Sequence, residues 1–226
     1  MDEVVLTRPK SLAEWQKMFS VIYDDHNREL YSDADLLLHV FEGVSKSLES
    51  IRKERLQEVV QNLPRIFAWF MAFCNRLEID LSKVVWHKYP NLCPYCLKSA
   101  NCACISHELK YRPTDSDLTQ YRRDMTYMPV TLSDWQTMFD HIYGRINRNV
   151  ASFTAVYYHL VEELGEVSKD FRFKNRSGIE AEVADFFAWI LAVAIKLGVD
   201  LDSAAWACYP GECNKCRKSK CECPVE

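Results

Sequence analysis

Residues 159–171 read HLVEELGEVSKDF. At 100° per residue, Val156, Tyr157, Leu160, Val161, Leu164 and Val167 fall on one broad apolar face, which is the signature of an amphipathic helix. Glu162, Glu163 and Glu166 fill an arc of about 100° directly beside that face, with His159 among them. Like charges at i,i+4 cost roughly 0.2–0.5 kcal/mol per pair on an exposed helix, and more near a low-dielectric core. The stretch therefore reads as a core helix carrying a concentration of negative charge that calls for a cation.

The chain around it is a duplication. Trp15, Trp69 and Trp86 recur as Trp135, Trp189 and Trp206 at one constant shift. The same shift carries SLAEWQKMF (11–19) onto TLSDWQTMF (131–139), His39 onto His159, FAW at 67–69 onto 187–189, and Tyr89-Pro90 onto Tyr209-Pro210. Two long units point to a duplicated domain rather than a solenoid. The expected organisation is residues 1–104 as a first helical repeat, 105–128 as a polar linker without a sustained apolar period, and 129–226 as a second repeat.

Within the second repeat, Trp135, Met138, Phe139 and Ile142 recur at helical spacing. Ser152 is a candidate N-cap for a helix through about residue 170. The loop FRFKNRSG follows, a third helix is expected over 179–197, and a short fourth over 202–208 stops before Pro210. No segment alternates with period two over a strand's length, so the expected class is all-α.

Charged residues make up 27% of the chain with a net charge of -4, so no global basic field argues for nucleic acid or an anionic membrane. The longest apolar runs, such as 190–195, are too short to span a bilayer. No charged-then-apolar leader opens the sequence, and a cytoplasmic location is expected.

The third helix supplies partners for the three glutamates. Glu182 and Asp185 stand at i,i+3 and border a face continued by Phe186, Trp189 and Val193. Two helices with carboxylates on facing edges can surround a hard divalent cation with oxygen ligands, and Mg²⁺ is the usual occupant when phosphate completes its coordination. Lys169, Arg172, Lys174 and Arg176, in or beside the intervening loop, are candidates to meet phosphate charge. Trp189 and its neighbours Tyr158 and Phe186 are candidates to stack on a base, although Trp189 recurs as Trp69 and packing also accounts for it.

EELGE (162–166), followed one loop later by EVAD (182–185), resembles the signature E-E-x-x-E then E-x-x-D of the all-α NTP pyrophosphohydrolase superfamily, the MazG-like group. The resemblance covers residues 131–205 directly and 11–85 through the repeat. It implies that Glu162, Glu163, Glu166, Glu182 and Asp185 bind Mg²⁺ and position or activate water. The implied reaction cleaves an NTP or dNTP to the monophosphate and pyrophosphate. It also implies that two tandem MazG-like units form a pseudo-dimeric bundle, with further homo-oligomerisation open.

The first repeat lacks this set. Glu42 matches Glu162, but Gly43, Lys46, Asn62 and Arg65 stand where Glu163, Glu166, Glu182 and Asp185 stand in the second. No Mg²⁺ site of this type forms there, and Pro64 is expected to interrupt or restart the corresponding helix. The first repeat is a degenerate copy, a scaffold in which Lys46 or Arg65 at most assists with phosphate.

Each repeat ends in a cysteine cluster: Cys93, Cys96, Cys102 and Cys104 in the first, Cys213, Cys216, Cys221 and Cys223 in the second. Four thiolates within a dozen residues match a closed, tetrahedral structural Zn²⁺ site; an iron–sulfur cluster or redox-active thiols are the alternatives. Against the enzyme reading stands a nucleotide-sensing or protein- or nucleic-acid-binding module that uses the knobs as its interaction surface.

Overall fold

The computed structural model describes residues 6–102, 104 and 113–224. Among them the chain is helical throughout: α1 (Leu12–Leu30), α2 (Asp33–Arg52), α3 (Leu56–Arg76), α4 (Leu81–Lys88), α5 (Asp115–Arg123), α6 (Leu132–Asn149), α7 (Phe153–Arg172), α8 (Arg176–Leu197) and α9 (Leu201–Cys208), with no strand. No helix among the described residues is long and apolar enough to cross a membrane.

The helix starts follow from local chemistry. The Ser11 and Thr131 hydroxyls accept from the amides of Glu14 and Asp134, and Ser32 and Ser152 do the same for the next helix of each repeat. Each such cap satisfies an amide that the helix itself leaves without an acceptor. The duplication extends to the backbone. Left-handed residues recur in pairs: Glu54 and Lys174, Glu78 and Gly198, Asn91 and Gly211, Leu97 and Arg217. At Gly211 the glycine is required twice over, because φ is 78° and an added Cβ would lie 2.7 Å from the Leu6 carbonyl oxygen.

Two compact units exist, and they do not coincide with the repeats. One comprises Met1–Asp80 with Val199–Glu226, the other Leu81–Gly198. In the first unit α1, α2 and α3 pack together and are joined by α9 of the second repeat. In the second, α6, α7 and α8 are joined by α4 of the first repeat. The expected boundaries at 104 and 129 follow the order of the chain, whereas the fourth helix and cysteine knob of each repeat pack with the other repeat's helices. Sequence periodicity cannot make this distinction, because Leu81, Val85 and Trp86 match Leu201, Ala205 and Trp206 and either short helix offers a similar apolar face.

The joins are specific. In the first unit, buried Trp15 donates its indole N–H to Asp202 Oδ1 at 2.8 Å, and Arg8 Nε donates to the other oxygen at 3.1 Å. Phe19 meets Tyr209 edge-on at 5.3 Å. In the second, Tyr89 packs edge-on to Phe139 at 5.1 Å, and the amides of Asn101 and Cys102 donate to the carbonyls of His141 and Ile142.

Three local expectations change. Pro64 does not interrupt α3, which runs continuously from Leu56 to Arg76; the helix's apolar face is buried deeply enough to carry a residue that removes one backbone bond. Gly178 lies inside α8 rather than ending the loop, since the Asn175 side chain caps the helix on the Gly178 amide. The stretch expected as linker contains α5, whose Thr114 and Asp117 form a reciprocal cap and whose Arg122 carbonyl accepts from the Trp86 indole at 3.1 Å.

Candidate metal centre

The helix α7 presents Glu163 and Glu166 on one edge, and α8 presents Glu182 and Asp185 opposite. Carboxylate oxygens of Glu163, Glu182 and Asp185 all lie within 4.8 Å of one another. Glu166 is close enough to hydrogen-bond Glu182. Glu162 stands apart: its carboxylate is 67% exposed and pairs with His159 Nδ1 at 2.7 Å. Of five acids read from the sequence, three therefore meet, a fourth touches them, and one faces solvent.

The cluster is electrostatically strained. Burial, together with repulsion from Asp185, Glu182 and Glu166, pushes Glu163 up to about 8. Glu182 is raised for the same reason, burial first. Asp185 has two partners, the Lys88 ammonium on Oδ2 and the Tyr89 hydroxyl, which donates to Oδ1 at 2.5 Å. Burial still raises Asp185 in spite of both. Lys88 is held protonated by Asp185 against its own burial. One ammonium thus serves four carboxylates and cannot neutralise them, and three clustered oxygens with excess negative charge suit a hard divalent cation.

Lys88 and Tyr89 belong to the first repeat and were not among the candidates from sequence. A signal was present. Where the second unit has Asp185 with Lys88, the matching positions of the first unit are Arg65 and Cys208, so both partners differ together while Tyr209 matches Tyr89.

A cleft of about 680 Å³, lined among others by Lys83, His87, Lys88, Tyr95 and Arg122, meets the cluster through Lys88, and none of Glu163, Glu166, Glu182 and Asp185 lines it. Its acids are engaged: Asp115 pairs with Arg122 at 2.7 Å, and Glu180 with Arg176 at 2.6 Å. None of Lys169, Arg172, Lys174 and Arg176 lines it. All four are exposed, and Arg172 lies over the Phe173 ring at 5.0 Å. Trp189 is partly exposed, and the His159 ring lies flat against it at 4.5 Å.

The matching region of the first unit is a neutral network. Asn62 is buried and donates to the Gly43 carbonyl at 2.6 Å and to Ser47 Oγ at 2.8 Å. The space that a side chain would occupy at 43 is closed, with Ile66 at 2.9 Å from an added Cβ.

The cysteines form two groups of four that can each hold a metal ion: Cys93, Cys96, Cys102 and Cys104, and Cys213, Cys216, Cys221 and Cys223. Measured sulfur separations are 3.2–3.7 Å in the first group and 3.7 Å for Cys213 to Cys223. A tetrahedron with metal–sulfur bonds of about 2.3 Å has edges of about 3.8 Å. Both loops share one fold, in which the first cysteine's amide donates to a carbonyl five residues on, that of Lys98 or Lys218.

Compared with protein-family models, curated proteins and solved structures, the chain matches none.

Proposed function

We propose that the protein is a Mg²⁺-dependent nucleoside triphosphate pyrophosphohydrolase of the MazG-like type, with two structural Zn²⁺ knobs. The observation that carries the reading is the convergence of Glu163, Glu182 and Asp185 oxygens within 4.8 Å of one another. Acids that crowd this closely gain from a bound cation, and phosphate charge would meet Lys83, His87 and Arg122 on the neighbouring cleft, where Arg122 would have to exchange Asp115 for phosphate.

Glu163, Glu182 and Asp185, with Glu166 against Glu182, would hold the ion, which supplies charge neutralisation on the phosphate and a lowered pKa for bound water. Lys88 and Tyr89 fix Asp185 through both of its oxygens. A carboxylate that the ion leaves free, Glu166 being the one outside the three converging groups, would take the attacking water's proton. The water oxygen bonds to the α phosphorus as the bond to the pyrophosphate oxygen breaks. Cleavage at that bond, rather than at the γ phosphate, rests on the motif resemblance alone.

The test is a panel of standard, modified and non-standard NTPs and dNTPs with Mg²⁺, with products separated by chromatography. Monophosphate plus pyrophosphate is expected, and Glu163→Gln or Asp185→Asn should lower turnover at least about 100-fold. Diphosphate plus phosphate would reassign the reaction. Tight binding with no turnover of any nucleotide would replace the enzyme reading with the nucleotide-sensing module, and full turnover in both variants would remove the site.

A further inference from the structure

The first unit has a cavity whose lining includes Arg65, at the position that matches Asp185 of the second unit. It measures about 450 Å³ and is walled by Tyr31, His39, Trp69 and Tyr209, with Arg65 and Lys215 on its lining. His39 lies flat on Trp69 with centroids 4.1 Å apart and planes 19° off parallel, and Tyr31 closes the corner edge-on at 5.9 Å. The wall therefore presents a preformed aromatic surface against which a planar ring can pack.

The charge in the cavity is reversed relative to the second unit. Arg65 stands where Asp185 stands, and Lys215 where Tyr95 stands. Arg65 is exposed to the cavity, and no carboxylate pairs with it among the described residues. The one carboxylate on the lining, Glu42, is 61% exposed and already engaged by His39 at 2.9 Å. Cysteines 213, 221 and 223 also reach the lining, and a metal-bound thiolate set would add negative charge there. The knob offsets that charge with Lys215, Arg217, Lys218 and Lys220, where the matching stretch of the first knob has Lys98 alone. Arg217, Lys218 and Lys220 pair with Glu212, Glu222 and Asp25, and Lys215, which also has a partner of its own, lines the cavity. Among the described residues no carboxylate cluster is found in this unit, where Gly43, Lys46, Asn62 and Arg65 stand in place of four of the five acids.

We infer that this cavity is a second ligand site, which takes a nucleoside phosphate without a divalent metal. The base packs against the Trp69 wall, and the phosphate meets the Arg65 guanidinium, whose planar fork matches phosphate oxygens. The site stands independently of the hydrolase reading, since it uses none of the residues of the acidic cluster.

The experiment titrates AMP, GMP, CMP and UMP into the full chain in buffer without added Mg²⁺, by calorimetry. The Glu163→Gln/Asp185→Asn double variant serves as the parent, so that the acidic site is disabled. Saturable binding of at least one nucleotide at one site per chain is expected. Arg65→Glu should weaken it at least ten-fold, and Arg65→Lys should retain more of it. Trp69→Leu should also weaken it, with unchanged circular dichroism. No saturable binding of any of the four, or equal binding to Arg65→Glu, overturns the inference. Turnover in the Mg²⁺ assay with the wild-type chain stands or falls separately.

Discussion

At pH 7 and without metal, Glu163 should carry a proton, and this makes metal binding a measurable proton release. With the carboxyl held at about 8, the fraction protonated at pH 7 is about 0.9, and about 0.5 at pH 8. A divalent cation that needs the carboxylate must expel that proton. Its affinity should therefore rise about ten-fold per pH unit between pH 6 and pH 7.5 and level off above about pH 9. Calorimetric titration of Mg²⁺ at pH 7 in two buffers of different ionisation enthalpy should give about 0.9 proton released per ion bound. Glu163→Gln should abolish the release and most of the binding. The stability of the metal-free protein follows the same group. Between its ordinary value near 4.5 and the raised value, the folded state binds more protons than the unfolded chain. The stability it contributes is full below about pH 4.5 and is lost as pH climbs through 8, and Mg²⁺ should cancel that loss. Binding that is independent of pH between 6 and 8, or without proton release, would refute the picture of a strained, cation-seeking cluster.

Three further outcomes are expected. Lys88→Met removes the ammonium on Asp185 and should lower turnover about ten-fold or more, with Lys88→Arg intermediate; unchanged kinetics would show the contact to be idle. Cys96→Ser should halve the zinc content from two ions per chain to one by elemental analysis, and an unaltered content would deny the first knob its metal. Asp202→Ala leaves the buried Trp15 N–H without its acceptor and should cost about 1–3 kcal/mol, read as a lower urea midpoint; no change would mean that the fourth-helix exchange gains nothing from this bond.

Much of the fold was legible. Ser152 reads as a cap, and α7 begins where it says, whereas Ser11, Ser32 and Thr131 cap their helices in the same way without having been singled out. The all-helical class follows from the apolar spacing. Pro64 misleads because helix propensity is a local quantity, whereas the burial of α3 is decided by its neighbours. The acidic cluster was legible as a set of helix edges, yet Glu162 faces solvent and pairs with His159 instead of joining the other acids. The loop cations after α7 are exposed and line no part of the cleft that meets the cluster, while Lys88 was missed because sequence reading looks to near neighbours in the chain. Lys88 lies almost a hundred residues from Asp185, and only the exchange of fourth helices brings it there.

That exchange has a consequence for the history of the chain. A duplicated domain normally leaves each copy free to be deleted once the other suffices. Here the copy with the acids takes Lys88, Tyr89 and a cysteine knob from the copy without them, and lends α9 and the other knob in return. The first repeat lacks the acidic set and is still not dispensable, since its tail belongs to its sibling's compact unit. A chain cut down to residues 129–226 would keep every acid of the motif and lack the residues that hold Asp185 in place.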